Sequence, residues 1–107
     1  MLPTSEARIS YAHVRAGRMR AFRDGLARDL PGKLIAVDTR EALESGLWGP
    51  GPLHPETPSR LGDMLLLATG DGYLADAVGE MPDFRGMHGG LTPEEMLAPS
   101  LWLRLDE

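Results

Sequence analysis

The histidine at position 88 is the residue of this sequence best placed to do chemistry. It lies in the run Phe84-Arg85-Gly86-Met87-His88-Gly89-Gly90. Flanking glycines permit a positive φ and let another group approach the imidazole ring closely, as expected of a metal ligand in a loop. Zinc needs three or four protein ligands, and no second histidine or carboxylate stands at a recognisable ligand spacing. From spacing alone, a hydrogen-bonded loop histidine is therefore the commoner interpretation.

The other polar residues are weaker candidates. His13 lies on a predicted strand, on the same face as Ile9 and Tyr11, and is interpreted as a partly buried structural residue. His54, in a proline-rich stretch, is a candidate for substrate contact, although a position facing solvent or a partner surface is favoured. Glu94 and Glu95 are adjacent on a predicted helix and point in different directions, so they are assigned to the helix N-terminus rather than to a carboxylate dyad. Neither a Gly-x-Ser-x-Gly elbow nor a phosphate-binding loop is present.

Hydrophobic patterning predicts the strands that would position these residues. The clearest is a continuous apolar run bounded by turn residues, as in a buried strand. The four main predicted strands are 9–14, 33–38, 62–69 and 101–105, and 73–75 is a further short candidate. Gly70-Asp71-Gly72 is predicted to form a turn.

Three helices are predicted. Met19, Phe22, Leu26 and Leu30 recur every three or four positions over residues 16–30, which is typical of an amphipathic helix. A second helix is predicted over 40–45, capped by Thr39. The third begins at Thr92-Pro93-Glu94-Glu95, a capping box with proline at the first helical position.

The long segments between these elements are predicted to be irregular. Residues 46–62 hold Gly49-Pro50-Gly51-Pro52, Pro55 and Pro58. Residues 76–90 are rich in glycine and methionine. The expected fold is α+β: a small mixed or antiparallel sheet of about four strands, with two or three helices on one face.

Composition limits the class of protein. The 107 residues are 42% hydrophobic and 25% charged, which suits one soluble domain. No stretch reaches the roughly 18 apolar residues that span a bilayer, and no secretory signal is visible, so no membrane partner is expected. Cysteine is absent, which excludes disulfides and thiolate chemistry and fits a cytoplasmic location.

Charge is divided unevenly along the chain. Residues 1–40 carry a net charge of +4 and residues 41–107 carry −9. Five arginines crowd the predicted first helix and the residues before it: Arg15, Arg18, Arg20, Arg23 and Arg28. Aromatic residues that would stack on bases are scarce nearby, so a solvated helix face is favoured and no nucleic-acid partner is expected.

The run Met87-His88-Gly89-Gly90-Leu91-Thr92-Pro93-Glu94-Glu95-Met96-Leu97-Ala98-Pro99 resembles the closing motif of the type I phosphodiesterase and nucleotide pyrophosphatase group of the alkaline phosphatase superfamily. Residues 40–49, Leu53-His54-Pro55 and Leu61-Gly62-Asp63 also resemble the segment that precedes this motif. Together the likeness covers most of residues 7–105.

The resemblance implies a metal-dependent phosphoester hydrolase in which His88 binds one of two divalent ions, usually zinc. The family's nucleophile and its Asp-His-Gly ligand motif do not occur here. We therefore expect a C-terminal portion, inactive alone and without a bound metal, whose partners are a missing N-terminal catalytic domain and a phosphoester or nucleotide substrate.

The expected organisation is one domain or fragment in two parts. Residues 7–76 would form a cap-like subdomain, and residues 77–107 a returning segment that carries the His-Gly-Gly motif. The alternative is a non-catalytic protein-interaction or dimerisation domain. In either case a homo-oligomer is possible, because loss of a partner would expose apolar surface around Leu47, Trp48 and Trp102.

Overall fold

The computed structural model describes residues 4–75 and 85–105. Eight elements follow one another within these residues. They are β1 (Thr4–Ser5), β2 (Ile9–Ala12), α1 (Met19–Asp29), β3 (Leu34–Asp38), α2 (Thr39–Glu44), α3 (Thr57–Leu61), β4 (Met64–Ala68) and α4 (Pro93–Met96). The fold is α+β, as the sequence predicts.

The sheet is antiparallel and has β4 at its centre. Strands β2 and β3 pair with the two sides of β4, with Ile9 opposite Leu67 on one side and Ile35 opposite Leu67 on the other. The two-residue β1 extends the outer edge of β2, giving the order β1-β2-β4-β3. Three strands of four or five residues therefore carry the fold.

Both faces of the sheet are covered by helices. Met64 and Leu66 point to one face, where Met19, Phe22 and Leu26 of α1 pack against them. Leu65 points to the other face, where it packs with Ala42 of α2 and Leu61 of α3. The expectation of helices on one face is wrong, because β4 is apolar at every position and its two sides each require cover.

Three of the predicted strands form, as β2, β3 and β4, and two do not. Residues 101–105 and 73–75 form no strand. A half-buried strand shows alternating apolar residues, as in Leu101-Trp102-Leu103-Arg104-Leu105. A strand also needs a neighbouring strand to which it can hydrogen-bond. The segment 101–105 is exposed at every position and is not paired in the sheet. The segment 85–90 is irregular as expected, and the remainder of that prediction, 76–84, lies outside the described residues.

The helices depart from the sequence predictions at two places. Within the segment predicted to be irregular, Thr57–Leu61 forms a helix with proline in its first turn, an Arg60–Glu56 ion pair at 2.7 Å and a buried Leu61. Proline starts this helix because the first turn needs no backbone donor. The cap of α2 is Asp38 rather than Thr39: its Oδ1 accepts the Arg40 N–H at 2.9 Å.

The connection between β2 and β4 is fixed by Asp63. Its backbone N–H donates to the Ala12 carbonyl at 2.8 Å, and its Oδ2 accepts the Val14 N–H at 2.6 Å. The preceding Gly62 has φ +67°, and a Cβ there would lie 2.8 Å from the Ala12 oxygen, so only glycine fits. None of the helices in the described parts of the chain has the length and apolar character to cross a lipid bilayer.

Replacement of Leu65 by alanine tests whether β4 is the centre of the core. Leu65 is 0% exposed, so Leu65→Ala should lower the free energy of unfolding by about 2–5 kcal/mol in urea denaturation. Leu97→Ala removes the same atoms from a side chain that is 79% exposed. This variant should change the free energy of unfolding by less than about 0.5 kcal/mol. Equal effects from the two variants would contradict the assignment.

Candidate functional site

Arg8 is the most deeply buried cationic residue among those described. It directly precedes β2, and its carbonyl accepts the Ala68 N–H at 3.0 Å, so the strand pairing continues one residue before Ile9. The residue is 5% exposed. A buried guanidinium is stable only when its donors are satisfied and its charge is balanced.

The Arg8 guanidinium satisfies this requirement with partners from two distant segments. Its Nε and Nη2 donate to the two carboxylate oxygens of Glu95 at 2.8 and 2.9 Å, a bidentate pair across 87 residues of sequence. Its Nη1 donates to the Gly70 carbonyl at 2.8 Å and also to the Gly72 carbonyl. The turn at Gly70-Asp71-Gly72, which the sequence predicts, thus presents two carbonyl oxygens to Arg8.

The Glu95 carboxylate is the acceptor for three further donors. The Gly90 N–H donates to Oε1 at 3.0 Å, and the Thr92 N–H and hydroxyl donate to Oε2 at 3.2 and 2.9 Å. The Arg8 guanidinium, and then these hydrogen bonds, hold the pKa of Glu95 well below its ordinary range, although burial opposes the shift. The Glu95 bonds also raise the pKa of Arg8. Glu95 is therefore a carboxylate, and not a general acid, at neutral pH.

The two glycines after His88 have different roles in this arrangement. Gly89 has φ +94°, and a Cβ there would lie 3.4 Å from the Cβ of Glu6. Gly90 is buried, and a Cβ there would lie 2.8 Å from the carboxylate carbon of Glu95. The His-Gly-Gly run thus needs one glycine for its backbone conformation and the other for close approach to Glu95.

A cleft of about 400 Å³ lies beside the Arg8–Glu95 pair. Asp71, Arg85, Met87 and Glu94 line it together with the pair itself. Arg8 and Glu95 occupy each other's hydrogen-bonding groups, so neither is available to a substrate. The contacts of Arg8 with Glu95, and of Glu95 with Gly90 and Thr92, fix the loop that carries His88 against the sheet.

His88 itself is exposed, next to Met87 at the cleft. Among residues 4–75 and 85–105, no group of three or more histidine, aspartate or glutamate side chains is arranged to hold a metal ion. The structure therefore places the predicted ligand on the surface of the chain and gathers no further ligands around it from the described part.

The other two histidines lie elsewhere. The Nδ1 of His54 accepts the Glu56 N–H at 3.2 Å, and its carbonyl accepts the Thr57 N–H at 2.9 Å, so His54 organises the approach to α3. His13, predicted to be partly buried, is instead exposed and lines a separate pocket beside α1. Neither lines the cleft at Arg8.

Sequence reasoning missed Arg8. Its partner is 87 positions away, and no spacing rule relates two residues so distant. The local pattern carried no signal either: Ser10 and Ala12, which share the face of Arg8 and are buried, are small residues, whereas the larger Ile9 and Tyr11 lie on the other face. For Glu95 the capping box is correct, and the carboxylate does accept the Thr92 N–H, but the same side chain also neutralises Arg8.

Comparison with known proteins gives no match: no family model, no curated protein and no solved structure is significantly similar to this chain.

Gly90→Ala tests the close approach of the loop to Glu95. The added methyl group must displace a carboxylate held by Arg8 and Thr92, so we expect a loss of stability of about 1–3 kcal/mol by chemical denaturation. Gly86→Ala is the matched control, since a Cβ at Gly86 meets no atom within 4 Å. A Gly90→Ala variant as stable as Gly86→Ala would contradict the packing described.

The depressed pKa of Glu95 predicts a pH dependence of stability. Because the pKa is lower in the folded state, the carboxylate's contribution is complete above its unfolded value of 4.5 and is lost as the pH falls toward the folded value. Unfolding free energy should therefore decrease from about pH 5 to about pH 2, and less steeply in Glu95→Gln. An unchanged slope in Glu95→Gln would refute the assignment.

Proposed function

We propose that this chain is the C-terminal portion of a metal-dependent phosphodiesterase or nucleotide pyrophosphatase-like hydrolase of the alkaline phosphatase superfamily. In this proposal the chain supplies His88 as a ligand to one of two divalent ions, which we take to be zinc. The support is a single correspondence. Residues 87–99 resemble the family's closing motif, and the motif's Gly90, Thr92 and Glu95 all anchor the loop to Arg8 while His88 stays exposed.

The described residues do not by themselves hold a pair of metal ions. Zinc requires three or four protein ligands, and the described residues offer no group of three. Our proposal therefore assigns the remaining ligands and the nucleophile to a separate catalytic domain, which the upstream coding sequence would encode. No catalytic step is assigned to residues of this chain.

Exposed apolar side chains support a missing partner surface. Leu101 is 98% and Trp102 is 94% exposed, and Met96 and Leu97 beside α4 are also exposed. The irregular segment 46–56 adds Trp48 to this set. Single exposed apolar residues are ordinary, but four of them within residues 96–102, which follow the proposed ligand in the sequence, are typical of a surface that a second domain covers. We propose that 46–56 lies on that domain or lines its substrate cleft.

Zinc calorimetry on the isolated chain is the first test. Because the proposal draws a single metal ligand, His88, from this chain, the wild-type chain should show no saturable binding at micromolar zinc, and a chromogenic phosphodiester should not be hydrolysed. Tight binding that His88→Ala abolishes, together with turnover, would contradict the division of the site between two domains.

Co-expression with the upstream-encoded domain is the positive test. The complex should hydrolyse the phosphodiester in a zinc-dependent manner, and His88→Ala should lower the rate by at least about 100-fold, as expected when a metal ligand is lost. His54→Ala tests the substrate-contact candidate, for which we expect KM to rise with kcat unchanged. Full activity of the His88→Ala complex would overturn the proposed role, and an upstream sequence without an Asp-His-Gly motif would overturn the family assignment. The lack of cysteine supports a cytoplasmic location for the complex.

A second candidate function, a non-catalytic interaction or dimerisation domain, is favoured by the same exposed leucines and Trp102. It predicts self-association of the isolated chain, which sedimentation velocity measures. Replacement of Trp102 by serine should return such an oligomer to monomer. A complete native gene that begins at Met1, with no upstream domain, would favour this function over the hydrolase.

A further inference from the structure

An open pocket of about 490 Å³ lies at the opposite end of β2 from Arg8. It is lined by His13, Val14, Arg15, Arg18, Ala21 and Phe22. Its volume falls within the range of about 300–1,000 Å³ that small-molecule sites occupy. None of the proposed hydrolase residues takes part in it.

A turn of defined geometry brings the two arginines of this pocket together. The Arg18 N–H donates to the Arg15 carbonyl at 3.0 Å, which closes a four-residue turn. Gly17 has φ +74° at its third position, as a type II turn requires. The ends of such a turn lie within about 7 Å of each other at Cα, and both arginines line the pocket.

The floor of the pocket is fixed by the core. Val14 and Phe22 both pack against the buried cluster of Ala12, Met64 and Leu66. Asp63 holds the Val14 N–H at 2.6 Å, which fixes the backbone where the pocket begins. The result is an apolar base under a cationic rim.

Arg15 and Arg18 differ from the neighbouring arginines on α1, which form ion pairs with aspartates. On α1, Arg20 pairs with Asp24 at 4.0 Å, Arg23 with Asp38 at 4.0 Å, and Arg28 with Asp29 at 2.7 Å. Arg15 and Arg18 pair with no carboxylate in the described part of the chain, and none of the six lining residues is acidic. The two unbalanced arginines of the Arg-rich segment are thus the two that line the pocket.

We propose that this pocket binds a small organic anion, one with a phosphate or carboxylate head joined to an apolar or aromatic body. The head lies between Arg15 and Arg18, where planar guanidinium groups bind anionic oxygens in bidentate fashion, and His13 adds a further donor. The body rests on Phe22 and Val14. The site is independent of His88 and of any metal ion, so it stands or fails apart from the proposed hydrolase function.

Titration with three probes at constant ionic strength tests this proposal. Phenyl phosphate combines a doubly charged head with a ring, benzoate carries a carboxylate on the same ring, and inorganic phosphate has no ring. Amide chemical shifts measured by NMR report both the affinity and the place of binding. Saturable shifts confined to residues 13–22 are expected, with phenyl phosphate bound several-fold more tightly than inorganic phosphate. Tighter binding of benzoate than of phenyl phosphate would identify a carboxylate as the native head group and would equally support the pocket.

Three variants separate a pocket from general electrostatic attraction. Arg15→Gln and Arg18→Gln should each weaken phenyl phosphate binding by about 3- to 10-fold, since each removes charge-assisted bonds. Arg20→Gln is the matched control, because it removes the same charge from a side chain that is almost fully exposed and lies outside the pocket. It should change the affinity by less than about 2-fold.

Two results would overturn the proposed anion site. An equal loss of affinity in Arg20→Gln would show attraction by the overall charge of the segment and would overturn the proposal. So would the absence of saturable shifts with all three probes at millimolar concentration. All three substitutions lie at exposed positions, and a thermal melt of each variant establishes that it is folded.

Discussion

The bidentate contact between Arg8 and Glu95 joins the C-terminal part of the chain to the sheet. Helix α4 buries none of its own residues, so apolar packing does not hold it in place. Burial of a guanidinium is costly unless its charge and all its donors are satisfied, and here one carboxylate and two turn carbonyls satisfy them. The Glu95 carboxylate in turn holds Gly90 and Thr92. The position of the loop around His88 is therefore set by electrostatics and hydrogen bonding.

Local patterns in the sequence predicted much of the scaffold and little of this contact. The continuous apolar run at 64–68 and the three- to four-residue spacing of Met19, Phe22 and Leu26 each encode an element in a short window, and both predictions were confirmed. Strand 101–105 failed because alternation cannot supply the neighbour that a strand must bond. Helix α3 was missed because prolines were interpreted as breakers where one begins a helix. Arg8 was missed because its partner is distant in sequence.

Strand β2 separates two sites of different character. At its first end, the buried Arg8 is paired with Glu95 and with two turn carbonyls, so its hydrogen-bond donors are not available to a ligand. At its other end, Arg15 and Arg18 share a pocket without a carboxylate, and the site is open. The two share no residue and no hydrogen-bonding partner in the described chain, so substitutions at one should leave the other nearly unaffected. The surplus of positive charge in residues 1–40 is thus used in two distinct ways.

The separation of Arg8 from Glu95 also bears on how the chain is made. A ribosome adding about 5–20 residues per second completes the 87 residues between them only after roughly 4–17 seconds. Strands β2, β3 and β4 are all synthesised before Glu95, so the sheet can assemble while Arg8 still lacks its counter-ion. During that interval the Arg8 guanidinium must stay hydrated, because burying its charge without a partner is costly. Synthesis of Glu95 supplies the counter-ion, so the loop around His88 can be anchored to Arg8 only from that point onward.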